Sequence, residues 1–326
     1  MNNEIHVYRV HLKSGNSEDK DYYSKRERLI NFCLGNEKKY IAVGWSCVYE
    51  DQSADVISTI KDYESYDKAL YSLDYMAQRK RNPIHNILKE TKENDLFWTR
   101  DLDGSYWICR ATCEAQPSIS IGLDKKTILD LDIGVVIPVE AYKVGLQIPA
   151  QIKTSFTRPR SGTGQIFSDD TTINYSKFIF NKKSNKKIYE INTEVSGDII
   201  NNLPPLDLEE LVISYIQIHE NYYLLSNSIA RKSTTVKIEC EFISRDINCP
   251  SKAVVQVKGG NTAELDGNEF LDYINDGYKV YIYAPKMRNS DKCIVIQRSE
   301  LLDFYEKNKS ILPRNITMWE NLFNDR

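Results

Sequence analysis

Residues 252–260 read KAVVQVKGG, an apolar run that carries a glutamine and a lysine two positions apart and then stops on two glycines. Side chains along a strand point alternately to its two faces. Val255 and Val257 therefore share one face, and Val254, Gln256 and Lys258 share the other. A lysine on a largely buried strand is costly unless something negative lies beside it. The preceding run, TTVKIECEFIS (234–244), supplies that charge. It alternates as well, with Val236, Ile238, Cys240 and Phe242 on one face and Lys237, Glu239 and Glu241 on the other. RDINCPS (245–251) reads as the turn between the two runs. With its centre near Asn248 and Cys249, antiparallel pairing sets Glu241 opposite Gln256 and Glu239 opposite Lys258. The expectation is a face bearing carboxylates, an amide oxygen and an ammonium.

A helix precedes this hairpin. In LPPLDLEELVISYIQIHENYYLL (203–225), Pro204 and Pro205 stand before the first turn and Asp207 reads as the N-cap. Leu208, Leu211, Val212, Tyr215, Ile216 and His219 fall on one stripe. At 100° per residue Glu209 lies at the edge of that stripe, whereas Glu210 faces water. After the hairpin, DGNEFLDYIND (266–276) reads as a helix, KVYIYAP (279–285) and CIVIQ (293–297) as strands, and SELLDFYEKN (299–308) as a last helix.

Carboxylates, an amide oxygen and a lysine on one face suit a hard divalent cation beside a phosphate. The cation polarises the ester and helps to generate hydroxide, and the lysine positions water or offsets phosphate charge. On these residues the segment 203–300 resembles the PD-(D/E)XK nuclease superfamily, in particular its Mrr-like restriction endonuclease branch. That family places a glutamate on a helix, an acid on one strand and (D/E/Q)-x-K on the next. Here those positions look like Glu209, Glu239 or Glu241, and Gln256-x-Lys258. The acid is glutamate where the family has aspartate, which leaves open both which glutamate binds metal and whether the site is active. The resemblance implies a restriction-endonuclease-like core with catalytic Glu209, Glu239, Glu241, Gln256 and Lys258. Mg²⁺, or Mn²⁺, would be held by Glu239, Glu241 and Gln256. An ordinary solvated cross-strand charge pair is the alternative, contributing about 0.2–1 kcal/mol.

Toward the N-terminus, IHVYRVHL (5–12) and KKYIAVGWSCV (38–48) read as strands, and 62–81 as a helix stopped before Pro83. LFWTR (96–100) and YWICRAT (106–112) flank DLDG, a hairpin signal, and VVIPVEAYKVG (135–145) continues the β character. GWSCVYE (44–50) and the hairpin are faintly similar to EVE and PUA-like domains, in which a curved sheet reads RNA or a flipped, modified base. Trp45, Trp98, Tyr106 and Trp107 are candidate substrate contacts, because bases stack on aromatic faces, with core packing as the alternative. Arg100 and Arg110 are candidates for phosphate, with surface ion pairs as the alternative.

The fold expected is α+β: a small barrel-like reader domain at 1–150, a connecting segment at 151–202 containing the Gly- and Pro-rich TRPRSGTGQ (157–165), and a nuclease domain at 203–326. The chain of 326 residues is long enough for two cores. Its net charge of −3 argues against a basic footprint spread over the whole molecule. Local basic stretches are KKSNKK (182–187), QRKR (78–81) and TRPR (157–160). The cysteines Cys33, Cys47, Cys109, Cys113, Cys240, Cys249 and Cys293 form no CxxC, so a zinc site is not expected and reduced thiols are. No apolar run of ~18 residues is present and MNNEIHVYRV lacks a signal-peptide layout, so a cytoplasmic protein away from membranes is expected. His6, His11, His85 and His219 are scattered, with no Ser-His-Asp or Cys-His signature.

The sequence thus reads as a Mg²⁺-dependent DNA endonuclease for restriction or anti-phage defence. It would recognise modified or foreign DNA and act as a homodimer so that both strands are cut. The competing readings are a non-catalytic nucleic-acid-binding or sensing protein on the same scaffold, and a nuclease directed at RNA.

Overall fold

The computed structural model describes residues 5–13, 21–79, 83–157, 162–191, 198–229, 237–260 and 262–324. Lys80 and Arg81 of QRKR, Arg158 and Arg160 of TRPR, and Val236 lie outside them. The chain is α+β and divides into two units, 1–148 with 152–192, and 149–151 with 193–326.

The first unit is built on β1 (Val7–Val10), β2 (Lys39–Val43), β3 (Leu96–Arg100), β4 (Tyr106–Ala111), β5 (Gln116–Pro117), β6 (Val135–Gly145) and β7 (Gly164–Phe167). They form a sheet in the order β2-β6-β4-β3-β1-β7, with β5 alongside β6. The DLDG turn closes β3 onto β4: the Asp101 N–H donates to the Ser105 carbonyl at 2.9 Å, and the Ser105 N–H returns to the Asp101 carboxylate at 2.8 Å. β1 lies parallel to β3 and antiparallel to β7. One face of the sheet packs Tyr8, Val10, Ile41, Phe97, Cys109, Ile137 and Val139 against the helices Tyr63–Tyr71 and Pro83–Glu90.

The stretch 151–202, expected to be a connection, is largely part of this unit. Gly164, which reads as a loop residue, opens the edge strand β7. A Cβ there would come within 2.7 Å of both Ile84 and Ile87, so glycine is what lets the strand lie against the helix Pro83–Glu90. The helix Asp170–Ser184 follows, its first turn capped by Asp169, whose carboxylate accepts the Thr172 N–H at 2.8 Å. It buries Tyr175, Ser176 and Phe180.

The second unit contains β8 (Tyr222–Leu224), β9 (Cys240–Ser244), β10 (Lys252–Val257), β11 (Glu264–Asp266), β12 (Tyr278–Tyr283), β13 (Lys286–Arg288) and β14 (Ile294–Val295). Its mixed sheet has the order β14-β12-β10-β9-β8, and β11 pairs with β13 in a separate ribbon. β10, β12 and β14 run parallel, while β9 is antiparallel to β10 and β8. β10 is the middle strand, and Ala253 through Val257 are buried on both its faces. The helix Pro205–Ile218 lays Leu208, Leu211, Val212, Tyr215 and Ile216 into the core and packs on β8, β10 and the helix Arg298–Asn308. His219, expected on this stripe, is exposed at the helix end and stacks on the Tyr215 ring at 4.8 Å.

Asp207 is not the N-cap. Pro204 holds that place and Pro205 opens the helix, so Asp207 sits in its first turn with its side chain fully buried. Its carboxylate accepts from Asn315 Nδ2 at 2.8 Å, Trp319 Nε1 at 3.1 Å and the Ala150 N–H at 3.2 Å. These donors satisfy the buried carboxylate, which thereby ties the helix to the C-terminal segment.

Candidate active site and nucleic-acid interface

The β9–β10 hairpin pairs two residues away from the expected register. Val254 lies opposite Glu241 and Val255 opposite Cys240. One step further the Glu239 N–H donates to the Val255 carbonyl at 2.8 Å, and Gln256 Nε2 donates to Glu239 Oε1, also at 2.8 Å. Glu239, not Glu241, is therefore the acid against Gln256. The connection is centred between Ile247 and Asn248, one residue earlier than expected, which moves the partner by two and keeps the face. Gln256 is buried and also reaches the Val257 carbonyl through Nε2 at 3.1 Å. Both bonds of this amide use its nitrogen.

Lys258 does not face Glu239. It stands just past β10, exposed, with its N–H on the Tyr283 carbonyl at 2.8 Å. The lysine in the quoted run thus escapes the cost of burial by leaving the sheet. Glu209 is half-buried as expected, but so is Glu210, which the helical wheel sends to water. A nearby thiol registers where this charge gathers. Cys240 is fully buried, and burial first, then the carboxylates of Glu239, Glu210, Glu209 and Glu241, push its thiol up to about 12. These acids come from β9, the segment before it and the helix Pro205–Ile218.

Among the described residues no group of three or more His, Cys, Asp or Glu side chains is arranged to hold a metal ion. A dedicated cage is not what Mg²⁺ requires, since it binds through one or two carboxylates, water and substrate phosphate. Glu239 with the amide of Gln256 offers hard oxygen ligands of that kind. The residues present fit the ion.

In the first unit, the expected base-stacking residues separate into two groups. Trp98 and Tyr106 are core side chains. Trp98 is fully buried, donates from Nε1 to Ser176 Oγ at 2.8 Å and stacks with Tyr175. Tyr106 meets Phe156 edge-on. Both face inward because their strands are covered by the segment after residue 151, so neither offers a free ring face. Trp107 is half-buried, with Nε1 on the Asp101 carboxylate at 2.9 Å. Arg110 is held by Glu140 at 2.7 Å and by Asn94 at 2.8 Å, the ion pair considered as its alternative. Arg100 is half-buried and packs its guanidinium over Tyr106 and Phe156.

Trp45 differs from the rest. It is half-buried at a backbone φ of +75°, a region that bulky residues rarely adopt. Its ring stacks on His85 at 4.4 Å, and its carbonyl accepts the Tyr66 hydroxyl at 2.9 Å. His85 is buried, which lowers its pKa, and its Nε2 lies 2.6 Å from the Tyr71 hydroxyl. Sequence reasoning passed over His85; its place in the apolar PIHNIL of the helix Pro83–Glu90 marks it as a core residue, and nothing local announces the tryptophan above it.

No protein-family model matches the chain, and no curated protein matches it. Among solved structures, the MspJI restriction endonuclease in complex with a 27-mer oligonucleotide aligns at 7% identity and a TM-score of 0.17. The alignment covers 67% of this chain and 56% of that one. A likeness at that score carries no weight for fold or function. No helix among the described residues is long and apolar enough to cross a membrane.

Proposed function

We propose that the protein is a metal-dependent DNA endonuclease whose second unit cleaves phosphodiesters and whose first unit selects the substrate. The observation that carries this reading is the contact of Glu239, just before β9, with Gln256 on β10 at 2.8 Å, two positions before the exposed Lys258 and near the glutamates of the helix Pro205–Ile218. Glu239 and the amide of Gln256 would hold Mg²⁺ or Mn²⁺. When bound, the ion polarises the scissile phosphate and lowers the pKa of a water. Lys258, on its flexible stem at the end of β10, reaches the phosphate or the attacking water. Gln256 keeps Glu239 oriented through its amide nitrogen. Glu209 supports the same cluster from the helix. A homodimer supplies the second active site that cutting both strands requires, and defence against modified foreign DNA in the cytoplasm is the setting such an enzyme fits.

One observation favours the second reading, a nucleic-acid-binding protein without catalysis. The Gln256 amide already closes onto Glu239, an arrangement complete without an ion. The test is a cleavage assay on modified phage DNA, plain plasmid and a structured RNA, with Mg²⁺, Mn²⁺ or EDTA, comparing the native chain with Lys258→Ala. Metal-dependent cutting of DNA that disappears in the variant supports the endonuclease. Binding without cutting in every condition sinks it in favour of the non-catalytic reading, and cutting confined to RNA reassigns the substrate.

A further inference from the structure

KAVVQVKGG (252–260) closes on two glycines, and the fold requires each for a different reason. Gly260 adopts a φ of +89°, the left-handed region in which an L side chain is strained. The φ of Gly259 lies outside that region and demands no glycine. What excludes a side chain at Gly259 is a close approach. A Cβ there would lie 3.1 Å from Leu208 Cδ2 and 3.8 Å from the Pro205 Cα, both in the first turn of the helix Pro205–Ile218. Carbons pack best at about 3.5–4.0 Å, so the first contact forces a shift of a few tenths of an ångström.

Both sides of the contact are held. Pro205 opens the helix with a fixed φ, and Asp207, next to Leu208, holds the Asn315 and Trp319 side chains and the Ala150 N–H through its buried carboxylate. Leu208 is itself only 3% exposed. Across the gap the Lys258 N–H donates to the Tyr283 carbonyl at 2.8 Å and ties the end of β10 to β12. A close-packed interior passes such a displacement on rather than absorbing it. Solvation accounts for Lys258 leaving the sheet, but not for the missing Cβ beside it. The backbone that a methyl on Gly259 would move is the one from which the Lys258 side chain starts.

We propose that Gly259 is a positioning residue for Lys258: by lacking a Cβ it seats the end of β10 against Leu208 and so sets the point from which the lysine reaches the phosphate or the attacking water. The inference deepens the reading of the second unit as the cleaving part and rests on it. Gly259 itself touches no substrate, so its effect falls on the rate and not on DNA affinity. A misplacement of about 1 Å costs about 100-fold in a reaction that depends on positioning, so a shift of a few tenths of an ångström is expected to cost about 5- to 10-fold.

The experiment uses the full chain on modified phage DNA and plain plasmid. Single-turnover cleavage at saturating protein with Mg²⁺ gives the rate, and filter binding in EDTA gives the affinity. The native protein is compared with Gly259→Ala, with Leu208→Val, which deletes Cδ2, and with the double variant, each at a temperature where its melting curve shows it folded. Gly259→Ala is expected to lose about 5- to 10-fold in rate with affinity within about twofold, and the double variant to regain the rate of Leu208→Val. A native rate in folded Gly259→Ala, or a slowed variant that Leu208→Val does not rescue, overturns the proposal and leaves the endonuclease reading standing. A loss confined to affinity assigns Gly259 to the DNA surface and overturns it as well. Should Gly259→Ala not fold, the double variant is set against Leu208→Val: equal rates support the proposal, and a deficit of about fivefold or more overturns it. If the native chain cuts neither DNA, the endonuclease reading falls and the inference falls with it.

Discussion

Glu239 and Gln256 meet across the β9–β10 hairpin, with Gln256 Nε2 2.8 Å from Glu239 Oε1. Glu241, on the same face two residues along, lies opposite the apolar Val254 instead. The register thus separates two glutamates that alternation alone treats as equivalent.

That separation has a kinetic consequence. Glu239→Gln removes the carboxylate that meets Gln256 and is expected to lower metal-dependent cleavage at least about 100-fold, the scale of removing one preorganised charged group. Glu241→Gln is expected to stay within about threefold of the native rate. Single-turnover cleavage over a Mg²⁺ titration measures both, and equal losses would count against the assignment of Glu239.

Asp207 predicts a pH dependence of stability. Burial raises its carboxyl from 3.8 to about 6, against the hydrogen bonds from Asn315, Ala150 and Trp319 that lower it. A carboxyl with a raised folded pKa binds its proton more tightly in the native state. The resulting stability is fully present below pH 3.8 and is lost as pH rises through about 6. At about 1.4 kcal/mol per tenfold change in proton affinity, the loss is about 3 kcal/mol. Asp207→Asn should abolish this part of the profile while weakening the hold on one of the three donors. Denaturant melts of both proteins between pH 4 and about 7 test it, and parallel curves for the two would contradict it.

The tryptophans should divide by phenotype. Trp98→Phe removes the bond to Ser176 and is expected to cost about 1–3 kcal/mol of stability with nucleic-acid affinity intact. Trp45→Ala is expected to weaken binding by about 1–3 kcal/mol, the value of one stacked base, with a smaller change in stability. Paired melting and binding curves separate the two, and a Trp45 variant with native affinity removes that residue from the interface.

Gly134 protects the backbone that carries Trp45. A Cβ there would strike the Tyr66 hydroxyl and lie 2.9 Å from the Trp45 carbonyl, which are partners in a hydrogen bond. Gly134→Ala is therefore expected to destabilise the first unit by about 1–3 kcal/mol, as overpacking does. A native melting curve for Gly134→Ala would show that the packing there yields at no cost.

Much of the fold was legible along the chain. The alternation in CEF and AVVQV identified the hairpin strands, Pro204 and Pro205 marked the entry to the helix, and DLDG joined β3 to β4 as two runs of apolar and aromatic residues require. These features are local, set by backbone sterics and by the period of apolar side chains, so a single sequence determines them. The same local rules misread Gly164 as a loop, because its absent Cβ serves a close approach by Ile84 and Ile87 far away in sequence. They also made Asp207 a cap, although its acceptors serve Asn315 and Trp319 more than a hundred residues on. Hairpin register, the burial of Trp98 beneath the helix Asp170–Ser184 and the packing of Arg9 and Arg100 over Phe156 were decided only in the tertiary structure. Each depends on which surfaces meet after the chain has closed long loops, and that outcome is fixed by packing and charge summed over distant segments.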